Sequence, residues 1–276
     1  MAIPKPVIFL TKNGSFAKWQ DIGSLNREIR IYYELSKTVG KIGFVSYGKR
    51  EENILIPRFP NFQILHNKWR LPNTMYANLL PYFFKKKYED YNIIKTNQTL
   101  GSDIARKIAK KTNKKLIARC GYLYSDFIER QYGIKSKEAI KAIELERRIY
   151  SEADSVVVTT NNMKDNLIER YSLSKKLITV IPNYVQTDIF KPSKHAKIAN
   201  RIIFVGRLAH QKNVLSLIES VVDLDIELLI IGNGPLYEKI QRQISNSNVN
   251  ATIQKRVNHN QIPHLLNQAS IFILPS

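Results

Sequence analysis

Residues 201–221, RIIFVGRLAHQKNVLSLIESV, join a short apolar run to a run with helical spacing. The apolar run ends at Gly206, and the helical pattern begins near Asn213. Unbroken apolar runs of strand length are typical of parallel strands that are covered on both faces. The segment therefore predicts a buried strand, a tight connection and an amphipathic helix, which together form the repeating unit of a parallel α/β sheet.

The same alternation runs along most of the 276-residue chain. In the first part it predicts strands at 6–10, 41–47, 91–96, 115–120, 155–160 and 177–182, and helices at 24–39, 102–112, 136–150 and 163–171. After a polar segment, it predicts strands at 201–206, 226–231, 251–254 and 270–274, and helices at 213–222, 235–245 and 260–268. Strands that alternate with helices favour doubly wound parallel sheets.

The polar segment at 191–200, KPSKHAKIAN, contains Pro192 and is predicted to be a linker. We therefore expect two α/β domains, residues 1–190 and residues 191–276. The last predicted strand lies in SIFILPS and is followed by no helix. The second domain is therefore expected to be incomplete and the sequence to be a fragment of a longer protein.

The predicted helix at 24–39 shows how the side chains are expected to be arranged. Ser24 is the expected N-cap, because its hydroxyl can accept a hydrogen bond from the first turn. The apolar stripe expected to face the sheet contains Leu25, Ile29, Tyr32, Leu35 and Val39.

Charge and cysteine content limit the partners and the compartment. The chain has 43 Lys and Arg residues against 23 Asp and Glu, a formal net charge of +20, so we expect an acidic partner. Cys120 is the one cysteine, which excludes a disulfide within the chain and fits a reducing compartment. No secretory signal and no apolar run of about 18 residues is present, so a cytoplasmic protein without a membrane span is expected.

The connection after the 201–206 strand carries two cations. Ligands of open α/β sheets bind beyond the carboxyl ends of the strands, where Gly206 lies. The helix that begins near Asn213 would direct its first N–H groups to that edge. Arg207 offers a planar fork for phosphate oxygens and Lys212 a point charge, so the segment predicts a metal-free pyrophosphate site. The alternative is that both are solvated loop cations.

The next connection, in LLIIGNGPLYEKI at 228–240, is also glycine-rich. Gly232, Asn233, Gly234 and Pro235 are assigned to the same nucleotide site, with the glycines allowing close backbone approach and Pro235 at the first helical position. The motif is not a full G-x-G-x-x-G, because Tyr237 occupies the third glycine position. The alternative is an ordinary turn.

These segments resemble a known family. The stretches VGRLAHQKNVLSLIES, LLIIGNGP, FILPS and ITVIPNYVQTDIFKP (178–192) resemble the donor-binding half of family 4 glycosyltransferases, which have the GT-B fold. The resemblance implies two Rossmann-like domains that face each other across a cleft, with an acceptor on the first and a nucleotide sugar on the second. It also implies that Arg207 and Lys212 hold the donor diphosphate and that Asn183 lies at the donor site.

In the first domain the resemblance is carried by fewer residues. The family's glycine-rich loop near the donor phosphates corresponds to DIGS (21–24), which assigns Gly23, or to NGS (13–15). Where many members have a histidine, this chain has ARCGYLYSDF (118–127). Arg119 is therefore expected to contact acceptor or phosphate, with a strand-end surface role as the alternative, and Cys120 is expected to be buried.

The resemblance implies a retaining, metal-independent transferase that moves a hexose from a UDP- or GDP-type donor to a glycan or lipid-linked acceptor. The setting it suggests is cell-surface polysaccharide or lipopolysaccharide synthesis, and no cofactor is expected beyond the donor substrate. Family members continue after LPS with a Glu-Gly segment and a second Glu, which again implies a longer native protein.

Three other interpretations compete with this one. DLD (223–225) resembles a metal-binding motif, but it precedes a strand and so falls at the amino edge of the sheet, away from the ligand-binding edge. The histidines are scattered along the sequence, so no metal site is expected. The basic segments 83–90 and 105–115 are by default solvated helix faces. Of the functional interpretations, a nucleic-acid-binding protein is one, and the one we prefer is docking of Lys85–Lys87 or Lys110–Lys115 at the anionic inner face of the cell membrane. A GT-B nucleotide-sugar epimerase is the remaining alternative.

Overall fold

The structure is a computed structural model that describes residues 3–194, 197–255 and 257–276. The chain forms two compact units, Met1–Asn183 and Tyr184–Ser276. The segment 191–200, which the sequence predicts to be a linker, belongs to the second unit, and residues 195 and 196 within it lie outside the described part of the chain.

The first unit contains a parallel seven-stranded sheet in the order β3-β2-β1-β4-β5-β6-β7. Its strands are β1 (Pro6–Phe9), β2 (Ile42–Val45), β3 (Phe62–Leu65), β4 (Ile93–Thr96), β5 (Lys115–Cys120), β6 (Ser155–Val158) and β7 (Ile178–Val180). The order reverses between β1 and β4, so their carboxyl ends flank the position where doubly wound sheets bind ligands.

Helices cover both faces of this sheet. They are α1 (Phe16–Asp21), α2 (Leu25–Val39), α3 (Glu52–Leu55), α4 (Asn73–Lys87), α5 (Ser102–Thr112), α6 (Tyr124–Tyr132), α7 (Lys137–Ser151) and α8 (Asn161–Tyr171). Apolar residues of α4, α5, α7 and α8 pack on one face, and those of α1, α2 and α3 pack on the other. The sequence analysis did not predict β3, α1, α3 or α6, and of α4 it singled out only the basic segment 83–90.

Helix α2 corrects two details of the sequence prediction. Leu35 is 38% exposed, and Ser36 is buried in its place on the face that also buries Leu25 and Tyr32. Ser24 occupies the N-cap position but has helical backbone angles, so its side chain makes no capping hydrogen bond. Its hydroxyl instead donates to the Trp19 carbonyl oxygen in α1, which ends at Asp21, at 3.4 Å.

The second unit contains a parallel four-stranded sheet in the order β10-β9-β8-β11. Its strands are β8 (Arg201–Val205), β9 (Glu227–Ile231), β10 (Ala251–Gln254) and β11 (Ile271–Phe272), and its helices are α9 (Val214–Ser220), α10 (Tyr237–Asn246) and α11 (Ile262–Gln268). Residues of α9 and α10 pack on one face of the sheet and residues of α11 on the other. Both units are thus doubly wound, as the sequence predicts.

None of the helices in the described ranges is long and apolar enough to cross a membrane.

Candidate functional site

The connection between β8 and α9 is held by hydrogen bonds to the neighbouring connection after β9. The Gly206 N–H donates to the Ile231 carbonyl oxygen at 3.0 Å, and the Leu208 N–H donates to the Asn233 carbonyl oxygen at 3.1 Å. A short 3₁₀ helix, His210–Lys212, follows, and Asn213 then adopts a left-handed conformation with φ of 47°. These features fix the backbone that carries Arg207 and Lys212 at the carboxyl edge of the sheet.

The two glycines after β9 have a packing role that the sequence does not reveal. A Cβ on Gly232 would overlap the Gly206 carbonyl oxygen, and a Cβ on Gly234 would overlap the Leu208 backbone. The Gly232 N–H donates to the Gln254 carbonyl oxygen and the Gly234 N–H to the Asn233 side chain. The close backbone approach that we expected of these glycines is therefore the contact between two loops.

The other two residues of this loop that we assigned to the sugar-nucleotide site are exposed to solvent. Asn233 and Pro235 are exposed, and Pro235 precedes α10 by two positions, so it does not occupy the first helical position. The helix begins at Tyr237, whose N–H donates to the Gly234 carbonyl oxygen at 3.1 Å.

Arg207 and Lys212 differ in their surroundings. Arg207 is exposed, and within the described part of the chain no acidic side chain pairs with its guanidinium. Lys212 is half-buried, and its Nζ donates to the Ser276 hydroxyl oxygen at 3.2 Å. Ser276 follows β11, which pairs with β8, so the ammonium lies beside the ends of two adjacent strands. Among the residues of the second unit that the structure describes, this edge presents positive charge without an acidic side-chain partner.

In the first unit, the loop after β1 contains Gly14 rather than Gly23. The Gly14 N–H donates to the Thr11 carbonyl oxygen at 2.7 Å, and its own carbonyl oxygen accepts from the Tyr47 N–H at 3.0 Å. Gly23 lies one helix further along the chain, after α1, with φ of 68° and open space where a Cβ would be. The structure therefore puts NGS at the end of β1 and Gly23 outside that loop.

Arg119 and Asn183 are brought together by the fold. Arg119 is the penultimate residue of β5, and its guanidinium donates to the Asn97 carbonyl oxygen and to the Asn183 side-chain oxygen, each at 3.1 Å. Asn97 follows β4, and Asn183 follows β7. The arginine is half-buried, and its contacts link the carboxyl ends of β4, β5 and β7. It is therefore not simply a surface residue at the end of a strand.

Lys95 is a residue of this edge that the sequence analysis did not single out. Its Nζ donates to the Tyr32 hydroxyl oxygen at 3.4 Å and lies 5.5 Å from the centre of that ring. Burial, together with the smaller effect of the nearby Arg119 guanidinium, lowers the pKa of Lys95 to about 7. The signal that could have found it is a lysine within the short predicted strand YNIIKT (91–96).

Cys120 is buried, as expected. Burial raises the pKa of its thiol to about 12, and the Sγ donates to the Tyr122 carbonyl oxygen at 3.3 Å. The thiolate that a nucleophilic cysteine requires is therefore disfavoured at this position.

The residues of the competing interpretations lie elsewhere. Asp223 and Asp225 precede β9, and they accept hydrogen bonds from Asn248 and Asn200 at 3.0 Å. Across residues 3–194, 197–255 and 257–276, no group of three His, Cys, Asp or Glu side chains is arranged to hold a metal ion. His195 lies outside these ranges.

The basic segments end two adjacent helices, α4 and α5. Four of their lysines make polar contacts within the unit: Lys87 donates to the Ile64 carbonyl oxygen, Lys107 pairs with Asp103, Lys114 donates to the Glu89 and Tyr91 carbonyl oxygens, and Lys115 pairs with Asp154. Four others are exposed, namely Lys85, Lys86, Lys110 and Lys111. We call these four the basic face.

Comparison with known proteins identifies the family. The family model described as Glycosyltransferase Family 4 matches residues 44–189, more than half of the chain. The chain belongs to glycosyltransferase family 4. The model described as Glycosyl transferases group 1 matches residues 185–276, which contain Arg207, Lys212 and both loops of the second unit.

Curated relatives of this family 4 chain are distant. It is 28% identical to the GPI3 subunit of phosphatidylinositol N-acetylglucosaminyltransferase from Saccharomyces cerevisiae, over 51% of this chain and 35% of the yeast protein. It is 25% identical to an uncharacterised glycosyltransferase of Methanocaldococcus jannaschii, over 51% of this chain and 38% of that protein. The chain thus spans little more than a third of the curated relatives it matches.

Solved structures show the fold of the family 4 chain. Sucrose-phosphate synthase from Thermosynechococcus elongatus is similar with a TM-score of 0.75 at 16% identity, over 99% of this chain and 75% of that one. HepE from Anabaena in complex with UDP-glucose is similar with a TM-score of 0.68 at 13% identity, over 98% and 74%. The GT-B fold expected from the resemblance is confirmed.

Proposed function

We propose that the protein to which this chain belongs is a retaining glycosyltransferase that moves a hexose from a UDP- or GDP-type donor to a hydroxyl of a glycan or lipid-linked acceptor. The observation that carries the proposal is the pair Arg207 and Lys212, which follow β8 at a carboxyl edge without an acidic partner among the described residues. Such an edge is where α/β sheets bind nucleotides.

Two relatives support the choice of substrates. The name of the yeast GPI3 relative gives phosphatidylinositol as acceptor and an N-acetylglucosaminyl group as the transferred sugar. The HepE structure contains UDP-glucose. Transfer from a nucleotide sugar to a phosphate-containing lipid is consistent with the net charge of +20, because both substrates are anionic. Cell-surface polysaccharide or lipopolysaccharide synthesis is the setting that we propose.

The proposed reaction assigns a role to each cation. The bond between the anomeric carbon and the diphosphate oxygen breaks, the acceptor oxygen bonds to that carbon, and the hydroxyl proton is released. Negative charge develops on the departing diphosphate. The Arg207 guanidinium and the Lys212 ammonium stabilise that charge in the role that a metal ion has in other transferases.

Calorimetric titration with UDP and with GDP tests the assignment. Replacing Arg207 and Lys212 by Ala removes the two proposed diphosphate ligands, and we expect affinity for the preferred nucleotide to fall roughly a hundredfold. Lys239→Ala with Arg242→Ala is the matched control, because both residues are exposed cations on α10. Equal affinities in the wild type and the first variant would remove Arg207 and Lys212 from the site.

An anionic membrane surface is the partner that we propose for the basic face. Its lysines lie beside Tyr82, which is 70% exposed and whose ring centre is 5.2 Å from the Lys111 Nζ. A cavity of about 600 Å³ adjoins Tyr82, Lys85 and Lys111. Exposed cations near anionic lipid contribute about 1 kcal/mol each, and a tyrosine is suited to the headgroup region.

Vesicle sedimentation with phosphatidylglycerol tests this partner. Charge reversal of Lys85, Lys86, Lys110 and Lys111 to Glu should abolish binding. The control reverses Lys135, Lys137, Lys141 and Arg148, which are exposed cations on or beside α7, so the net charge is the same in both variants. Equal loss in both variants would indicate a net-charge effect, and tight binding of random duplex DNA at physiological salt would favour the nucleic-acid alternative.

A further inference from the structure

Five residues form a chain of contacts at the carboxyl edge of the first sheet, which we call the Lys95 cluster. The Lys95 ammonium donates to the Tyr32 hydroxyl oxygen, and that hydroxyl donates to the Asn97 side-chain oxygen, both at 3.4 Å. The Arg119 guanidinium donates to the Asn97 carbonyl oxygen and the Asn183 side chain at 3.1 Å. The cluster draws on α2 and on the ends of β4, β5 and β7.

The register of the sheet places the two cations on one face. Lys95 pairs with Ile117, and Arg119 lies two residues beyond Ile117 on the same strand. Side chains two residues apart on a strand point to the same side, so Lys95 and Arg119 are diagonal neighbours. Their partners are a phenol, two amides and backbone carbonyl oxygens, all of them neutral.

The positive charge of the cluster is therefore not compensated within the described residues. The ionisable groups that face the Lys95 ammonium are Tyr32 from α2 and Arg119 from β5, and neither is an acid that would be charged at neutral pH. Cations removed from water are normally paired with an acid, because desolvation of the charged form is costly. A buried lysine beside a half-buried arginine, neither with an acidic partner among the described residues, indicates that the missing anion is a ligand.

We propose that Lys95 and Arg119 bind one oxyanion of the acceptor, either a phosphodiester or a sugar carboxylate. The guanidinium fork and the ammonium supply donors for two or more oxygens of such a group. The assignment of the anion to the acceptor rests on the proposed function, whereas the anion site itself rests on the cluster alone.

The titration of Lys95 gives this site a pH signature. Burial lowers the pKa of Lys95 to about 7, so the ammonium is about nine-tenths protonated at pH 6 and about one-tenth at pH 8. An anion binds the protonated form and raises the pKa of Lys95, so binding takes up a proton. Affinity for an anion that does not itself titrate in this range should fall about tenfold from pH 6 to pH 8.

NMR of the 276-residue chain with ¹³Cε-labelled lysine tests the site. The Lys95 signal is assigned by its absence in Lys95→Met, which keeps the length of the side chain without its charge. Dimethyl phosphate and methyl glucuronoside are the probes, because one is a phosphodiester and the other a carboxylate. We expect one of them to shift the Lys95 signal saturably, about tenfold more tightly at pH 6 than at pH 8, and the preferred probe identifies the anion.

Lys111 provides a matched control, since it too lies over a tyrosine ring but at the surface. Lys111→Met should leave the Lys95 shift unchanged, and Arg119→Gln should weaken binding of the preferred probe at least tenfold. No saturable Lys95 shift with either probe, or full binding by Arg119→Gln, would overturn the proposal.

Titration with UDP distinguishes this failure from failure of the proposed function. Lys95→Met should bind UDP as the wild type does, because the variant leaves Arg207 and Lys212 in place. If the probes bind but no nucleotide does, the anion site stands and the transferase assignment falls. If nucleotide binds but neither probe does, the transferase assignment stands and the anion site falls.

Discussion

Gly232 lies directly against the carbonyl oxygen of Gly206, so that no side chain fits at this position. The contact joins the loops after β8 and β9, and hydrogen bonds from Gly206 and Leu208 to the second loop reinforce it. The geometry of the loop that carries Arg207 therefore depends on a residue 25 positions further along the chain, which local sequence spacing does not express.

We expect Gly232→Ala to destabilise the chain by about 3 kcal/mol or more, because the added methyl group meets backbone atoms that cannot rotate away. Urea unfolding measures the change. Gly23→Ala is the control: its site has open space and only a positive φ, so a cost of about 1 kcal/mol is expected. Similar losses in the free energy of unfolding in the two variants would contradict a special role for the contact between the two loops.

Glu146 is a buried hydrogen-bond acceptor, and its removal should lower the stability of the fold. Its carboxylate accepts from the Tyr124 N–H at 2.7 Å and from the Ser125 and Tyr171 hydroxyls at 2.6 Å. Glu146→Ala leaves these buried donors without an acceptor, and we expect a loss of about 3 kcal/mol in the free energy of unfolding. Glu144→Ala, at an exposed position of the same helix, should change it by less than about 0.5 kcal/mol.

Lys95→Met should stabilise the chain in a pH-dependent manner. Burial lowers the pKa of Lys95 to about 7, below the value of 10.5 that an unperturbed lysine has. Between these values the unfolded chain binds more protons, so the stability of the wild type rises with pH. The gain from methionine is therefore largest at or below pH 7, up to about 5 kcal/mol, and disappears as the pH approaches about 10.

Unfolding measured at several pH values checks this expectation. A stability difference between Lys95→Met and the wild type that is the same at pH 6.5 and pH 9 would show that the ammonium is already well solvated. A lysine kept at such a cost also agrees with a role in binding, because active sites often retain groups that destabilise the fold.

The titration of Glu52 should give the opposite dependence of stability on pH. It is buried, and burial raises the pKa of its carboxyl although the Ala17 N–H donates to Oε1 at 3.0 Å. A raised pKa means that the contribution of this group to stability is present below the unfolded value of about 4.5 and is lost as the pH rises through the folded value. Glu52→Gln should therefore gain stability relative to the wild type as the pH is raised from 4.5 to 8.

The neighbouring Glu51 is the control for this prediction. Burial would raise its pKa, but hydrogen bonds from the Lys49 and Glu51 backbone, together with the charges of Lys49 and Arg70, lower it. Its contribution to stability is present above the unfolded pKa and is lost as the pH falls. Glu51→Gln should thus lose stability relative to the wild type as the pH rises, and trends of the same sign in the two variants would refute the assignment.

The sheet strands were largely predictable because they are apolar and covered on both faces. Residues 115–120 and 251–254 were predicted with the observed bounds. Strand β3 was missed because its sequence, FQIL, is short and contains a polar residue, and α6 was missed because its apolar stripe is brief. Local periodicity carries little information about such elements.

The candidate site was predictable only in part. Arg207 and Lys212 follow a recognisable strand end, and their position relative to β8 is as expected. The contact between Lys95 and Tyr32 joins residues 63 positions apart, and that between Arg119 and Asn183 joins residues 64 apart. These partners are set by strand order and register, which a single sequence does not specify.

The contact between Gly206 and Gly232 also bears on protein engineering. Two loops that touch through their backbones must be exchanged together, because a graft of either one alone would meet an unmatched neighbour. Attempts to alter nucleotide preference in this chain should therefore transplant residues 206–213 and 232–236 as a single cassette and confine point changes to the exposed side chains between them.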